Sequence, residues 1–231
     1  MTKPDGSKVR APPSLKRVVA RVSARFNYVL FPLDLPTFAA ALAARDFLTA
    51  GELPQEPLGI PPGGYVGGQG VVGRKGDLRA DINTDKQFFG VAGMQDPALL
   101  LEEVRGILEA LKETIDLARV EFFELQARYR VSQPGSPHAR ISRLGERSRI
   151  VEHASKTFAQ PMELYGAQLV SERGDPNSPD YFEVWFQPVP SLVNVMGVVV
   201  TMRNPNVKEF GNLTIKLEDN ISDFLSAPSS N

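Results

Sequence analysis

The chain has 231 residues, 42% of them hydrophobic, a formal net charge of −1 and no cysteine. That length and apolar content support a folded chain with a sizeable core and argue against global disorder. The missing cysteine excludes disulfides, thiolate metal sites and cysteine nucleophiles, so either redox compartment is tolerated and the cytoplasm is the default expectation.

Residues 1–15 are basic, rich in Pro, Gly and Ser, and lack the apolar centre of a secretory signal, so a flexible arm is expected there. Residues 18–31 then alternate. Val18, Ala20, Val22, Ala24, Phe26, Tyr28 and Leu30 take one phase and Arg21, Ser23, Arg25 and Asn27 the other, which predicts a long strand with one buried face. "DLPTFAAALAARDFL" follows as a helix, with Asp34 as cap and Pro36 in its first turn. "LRADIN" (78–83) and "QFFGVAGM" (87–94) read as antiparallel strands. A helix opens at Asp96-Pro97 with Leu100, Val104, Leu108 and Leu111 as its apolar stripe. A second long strand covers 119–131, with Phe123, Leu125, Ala127, Tyr129 and Val131 inward and Glu124, Gln126, Arg128 and Arg130 outward. Beyond it come a polar loop from 132, a helix over 145–159, and strands at 162–171, 181–187 and 193–202. The segment opened by Asn204-Pro205 has helical spacing, although "NLTIKL" alone also fits a strand. Residues 227–231 are a frayed tail, and no apolar run reaches the roughly 20 residues of a membrane helix.

The run "GIPPGGYVGGQGVVGRKGD" (59–77) contains a literal G-x-G-x-x-G at 68–73. A dinucleotide site needs those glycines between a strand and a helix N-terminus, yet "RKGDLRADIN" follows and is strand-like. No Gly-Lys-Ser/Thr ending makes a P-loop, and no kinase base or metal motif accompanies the run. The expectation is that Gly67, Gly68, Gly70 and Gly73 serve turns, bulges or close backbone approach.

Other catalytic constellations are missing too. His138 and His153 have the wrong spacing for a zinc pair and are expected to be surface residues. The serines lack a Gly-x-Ser-x-Gly elbow, and "DPNSPD" (175–180) lacks the spacing of a calcium loop. No metal, no cofactor and no catalytic residue is therefore assigned.

Both halves run strand, helix, three strands, helix. Val18 and Val120 lie 102 residues apart, and Asp96 and Asn204 lie 108 apart. The expected fold is α+β: two pseudo-repeated β-α-β-β-β-α halves, 16–117 and 118–226, sharing a largely antiparallel sheet with helices on one face. In element order this resembles the duplicated saddle of TATA-binding-like folds, which implies the same shared, one-sided sheet.

A one-sided sheet leaves an outer face made of the polar phases. The residues singled out there are Arg21, Arg25, Arg128, Arg130, Tyr181 and Trp185, because Arg and Trp are enriched at binding hot spots. Charge is also uneven. Residues 96–124 hold eight acidic and three basic side chains, and 128–156 hold seven basic and two acidic. The reading is a non-catalytic protein-interaction or assembly module, self-associating, with complementary acidic and basic segments aligning its subunits. Nucleic-acid binding by the basic face and 128–156 is the alternative, and an enzyme with a pocket beneath 59–77 the third.

Overall fold

The computed structural model describes residues 14–27, 35–49, 69–83, 87–114, 116–132, 136, 137, 141, 150–160, 164–171, 174–190, 192 and 194–226. Its elements in chain order are β1 (Ser14–Phe26), α1 (Leu35–Ala43), β2 (Leu48–Thr49), β3 (Gln69–Lys75), β4 (Leu78–Asn83), β5 (Phe88–Gly93) and α2 (Pro97–Leu111). After a short 3₁₀ turn at Leu117–Arg119 come β6 (Val120–Ser132), α3 (Ile150–Thr157), β7 (Ala167–Val170), β8 (Phe182–Pro188), β9 (Val195–Asn204) and α4 (Val207–Ser226). The strands form one antiparallel sheet of nine, ordered β2-β3-β4-β5-β1-β6-β9-β8-β7. The mixed α+β class and the large antiparallel sheet expected from the sequence are present.

Alternation decides which face each strand buries. Ala20, Val22 and Ala24 of β1 stand opposite Ala127, Leu125 and Phe123 of β6, and all six join the core. Met196, Val198, Val200 and Met202 extend that surface along β9, and Phe89 and Val91 along β5. Three helices pack on this side. α2 lies on β1 and β5, α4 on β6 and β9, and α1 against α2 and β3. Asp96 caps α2 by accepting from the Ala98 N–H at 2.8 Å, with Pro97 in its first turn. α4 buries Phe210, Thr214, Leu217, Ile221 and Leu225, one stripe of a single helix, so "NLTIKL" is not a strand.

Several boundaries differ from the sequence reading. β1 begins at Ser14, inside the expected arm, and its expected extension through Leu30 lies outside the described residues, as does Asp34. Val18 is not a regular core position. The β1–β6 register shifts between Arg17 and Val19, so an extra residue turns Arg17 toward the helices, opposite Tyr129. There Arg17 binds Glu218 of α4 (Nε to Oε1, 2.7 Å) and reaches Asp96 (3.4 Å), tying both helices to the central strand. α4 starts at Val207, where Asn206 accepts from the Lys208 and Glu209 N–H groups, rather than at Asn204-Pro205. β7 covers Ala167–Val170 within the expected 162–171, of which 162 and 163 lie outside the described residues, and α3 covers Ile150–Thr157 within the expected 145–159, of which 145–149 lie outside them.

The glycine run ends in β3, which pairs with β4 through a register shift between Val71 and Gly73. No helix follows it. A side chain at Gly73 would press on Leu42 Cδ1 (3.1 Å) and Phe47 Cβ (3.3 Å), so that glycine admits α1 and the turn after it. Residues 59–68, and any pocket beneath them, lie outside the described residues.

Gly90 has the tightest requirement on the opposite face. A Cβ there would lie 2.8 Å from Ser23 Cβ and 2.9 Å from the Val22 carbonyl oxygen, and neither atom is the end of a flexible side chain. Gly90→Ala should therefore destabilise the chain by about 1–3 kcal/mol, the usual cost of overpacking, measured as a lowered urea midpoint.

Candidate functional site

The face opposite α1, α2 and α4 is laid out in rows by the strand register. One row is Asn83–Phe88–Arg25–Phe122, and the next Asp81–Gly90–Ser23–Glu124–Arg203. Then come Arg79–Ala92–Arg21–Gln126–Thr201–Glu183, Val19–Arg128–Val199–Trp185–Gln168, and Lys16–Arg130–Gly197–Gln187. All the residues singled out from the sequence share this face, with Tyr181 at its margin, bonded through its carbonyl to the Arg203 N–H.

They do not share one environment. In the first rows the arginines are occupied. Arg21 crosses above Gly90 to clasp Asp81 with two nitrogens (Nε–Oδ1 3.0 Å, Nη2–Oδ2 2.8 Å) and donates to Ser23 Oγ at 2.9 Å. Arg25 pairs with Glu121 at 3.5 Å and lies 5.5 Å from the Phe122 ring centroid. Arg203 donates to Glu124 Oε2 at 2.7 Å while its guanidinium sits 4.8 Å from Phe122 and 5.5 Å from Tyr181. Glu124 is 2% exposed and also accepts from Gln126 at 2.9 Å. Tyr181 is buried and donates its hydroxyl to Glu183 at 2.7 Å. Arg21, Arg25 and Tyr181 are thus built into an internal network of ion pairs and cation–π contacts rather than displayed.

The last two rows are different. Lys16, Arg128 and Arg130 are exposed, and Trp185, the chain's one tryptophan, is 44% exposed two strands from Arg128 in the same row. Among the described residues no carboxylate pairs with Lys16, Arg128 or Arg130. Sequence reasoning missed Lys16, which fell between the expected arm (1–15) and the expected strand (18–31), and Arg203. The signal for Arg203 was available, since Val199, Thr201 and Arg203 continue one phase of β9. The side chains of His138 and His153 lie outside the described residues. Among those described, no cluster of three His, Asp or Glu side chains is placed to hold a metal ion. No described helix is long and apolar enough to cross a membrane.

No protein-family profile matches the chain, and no curated protein does. Among solved structures it aligns with a chain from a crystal structure of aspartokinase alpha and beta subunits. The identity is 13% over 92% of this chain and 99% of that one, with a TM-score of 0.20. That likeness is too slight to carry fold or function.

The occupied and displayed arginines should separate in stability. Removing one partner of a buried pair strands the other charge, so Arg203→Ala should cost about 3 kcal/mol. Arg128→Ala, exposed and without a described partner, should stay within about 0.5 kcal/mol of the parent in the same urea titration.

Two phenols make a second test. Burial, reinforced by the Glu218 carboxylate, pushes the Tyr129 hydroxyl up to about 12. The hydrogen bond to Glu183, and then burial, push Tyr181 up to about 12. The folded chain therefore holds protons that the unfolded chain releases near pH 10. This contribution is complete below about pH 10 and is lost as pH rises through about 12. Tyr129→Phe should flatten part of that fall when denaturant midpoints are compared from about pH 9 to pH 12.

Proposed function

We propose that the chain is a non-catalytic protein-interaction or assembly module. Its contact surface is the part of the helix-free face formed by Lys16, Arg128, Arg130 and Trp185. One observation carries this reading: Arg128 and Arg130 stand exposed on the face that also displays the indole of Trp185, two strands from Arg128 in the same row, while their neighbours Arg21, Arg25 and Arg203 are consumed by carboxylates of the same chain. Planar guanidinium forks sharing a face with an aromatic anchor suit a partner segment that offers carboxylates and one apolar side chain.

A protein partner is favoured over nucleic acid by charge. The patch gathers three cations in a chain of net charge −1, with Glu183 in the adjoining row and Glu124 and Asp81 in the row beyond it. That footprint is short for a polyphosphate backbone. The same reading takes 16–117 and 118–226 as two pseudo-repeated halves. It is supported by the strand order, since in each half the first strand adjoins the last and the others run outward in reverse chain order.

Trp185 is the reporter, because every indole signal comes from this patch. Titration with a poly-glutamate peptide at low salt should shift or quench its emission, and salt should reverse the change. The double variant Arg128→Glu, Arg130→Glu should abolish it. An unaltered response in that variant removes the patch from the reading, and a response to oligothymidylate but not to poly-glutamate replaces the protein partner with single-stranded nucleic acid.

A further inference from the structure

The two edges of the sheet are unequal. At one end the described part of β2 is Leu48–Thr49, a short template for another strand. At the other end β7 is open. Leu169 and Val170 are 49% and 48% exposed, and Tyr165, Phe182 and Trp185 add exposed aromatic surface around them. From Leu164 to Ser171 there is no charged residue and no proline, the usual devices that protect an edge.

The ladder to β8 fixes which backbone groups are free. Ser171 N–H bonds the Phe182 carbonyl at 2.8 Å, so residues 171, 169 and 167 turn their polar groups toward β8. By antiparallel alternation Gln168 and Val170 turn theirs outward, away from the sheet. Gly166 is in phase with them.

We infer that β7 is the seam of a homodimer, pairing antiparallel with β7 of a second copy about a two-fold axis through Gln168. In this register Gln168 faces its own copy, and Gly166 faces Val170, which places every outward N–H opposite an outward carbonyl. Ala167 meets the partner copy's Leu169 on the helix side, a small residue against a large one. The occupant is a second copy because the edge is uncharged. A charged segment finds no complement there, whereas an identical strand meets no like-charge repulsion. The two-fold axis is perpendicular to the sheet, so both helix-free faces lie on the same side. The row Arg128–Val199–Trp185–Gln168 then continues across the seam into its symmetry mate. The two strands bearing Trp185 come to lie three strand spacings apart, about 14 Å, and two basic patches flank one continuous sheet.

This inference stands on the edge strand and not on what the patch binds, and the tests separate the two. The protein should sediment as a dimer at micromolar concentration and dissociate on dilution. Gln168→Pro removes one outward N–H while leaving the β8 ladder whole, so it should be monomeric with an unchanged far-ultraviolet spectrum. Because the natural chain has no cysteine, Gln168→Cys should give a disulfide-linked dimer on mild oxidation. Gln187→Cys, on the same face but one strand in from the edge, should not. The Arg128→Glu, Arg130→Glu variant should remain dimeric while losing its response to poly-glutamate. A monomer at all concentrations, or cross-linking of the Gln187→Cys variant as readily as of the Gln168→Cys variant, would overturn the seam.

Discussion

Every other contact in the fold is built on the pairing of β1 with β6. Both strands are 13 residues long, both alternate apolar and polar, and their apolar phases fall on the same side. One-residue slippage would send every buried side chain to water, so the register is held by the core itself. The exception lies at its end. The irregularity at Val18 reverses the phase of β1, turning Arg17 inward to grip Glu218 and Asp96 and leaving Lys16 beside Arg130 on the open face. One extra residue thus does two things: it ties α2 and α4 to the centre of the sheet, and it adds a cation to the patch.

Once the register is set, neighbours determine what each arginine is for. Arg21 reaches Asp81 because the residue between them is Gly90, whose missing side chain leaves a path for the guanidinium. Arg203 reaches Glu124 across one strand spacing and lies on aromatic rings from β6 and from the residue before β8. Arg128 stands between Val19 and Val199, and Arg130 between Lys16 and Gly197. With no acid opposite, their charge points to solvent. The same residue type is a structural clamp in one row and a displayed group two rows away.

Much of the architecture was legible in the sequence because periodicity is a local property. The phases of 120–132 and of 20–26 follow from alternation alone, and the stripe of α2 follows from its spacing. Boundaries fared less well where a bulge broke the period at Val18, and where Asn206 rather than Asn204 took the capping role. Neither event leaves a compositional mark. The G-x-G-x-x-G could be set aside from sequence because a strand pattern follows it. That Gly73 makes room for Leu42 and Phe47 depends on contacts between residues well separated along the chain.

The α+β class, the two long amphipathic strands and the set of residues on the face opposite α1, α2 and α4 were all fixed by local pattern, since a period of two assigns faces without knowledge of neighbours. Which of those residues are available was settled later, by folding. Exposure and ion pairing depend on what stands one strand away, and strand order is a long-range property: Asp81 is 60 positions from Arg21, and Glu124 is 79 from Arg203. The fold placed acids beside Arg21, Arg25 and Arg203 and, among the described residues, none paired with Arg128, Arg130 or Lys16, whose neighbours across the strands are valine, glycine and one another.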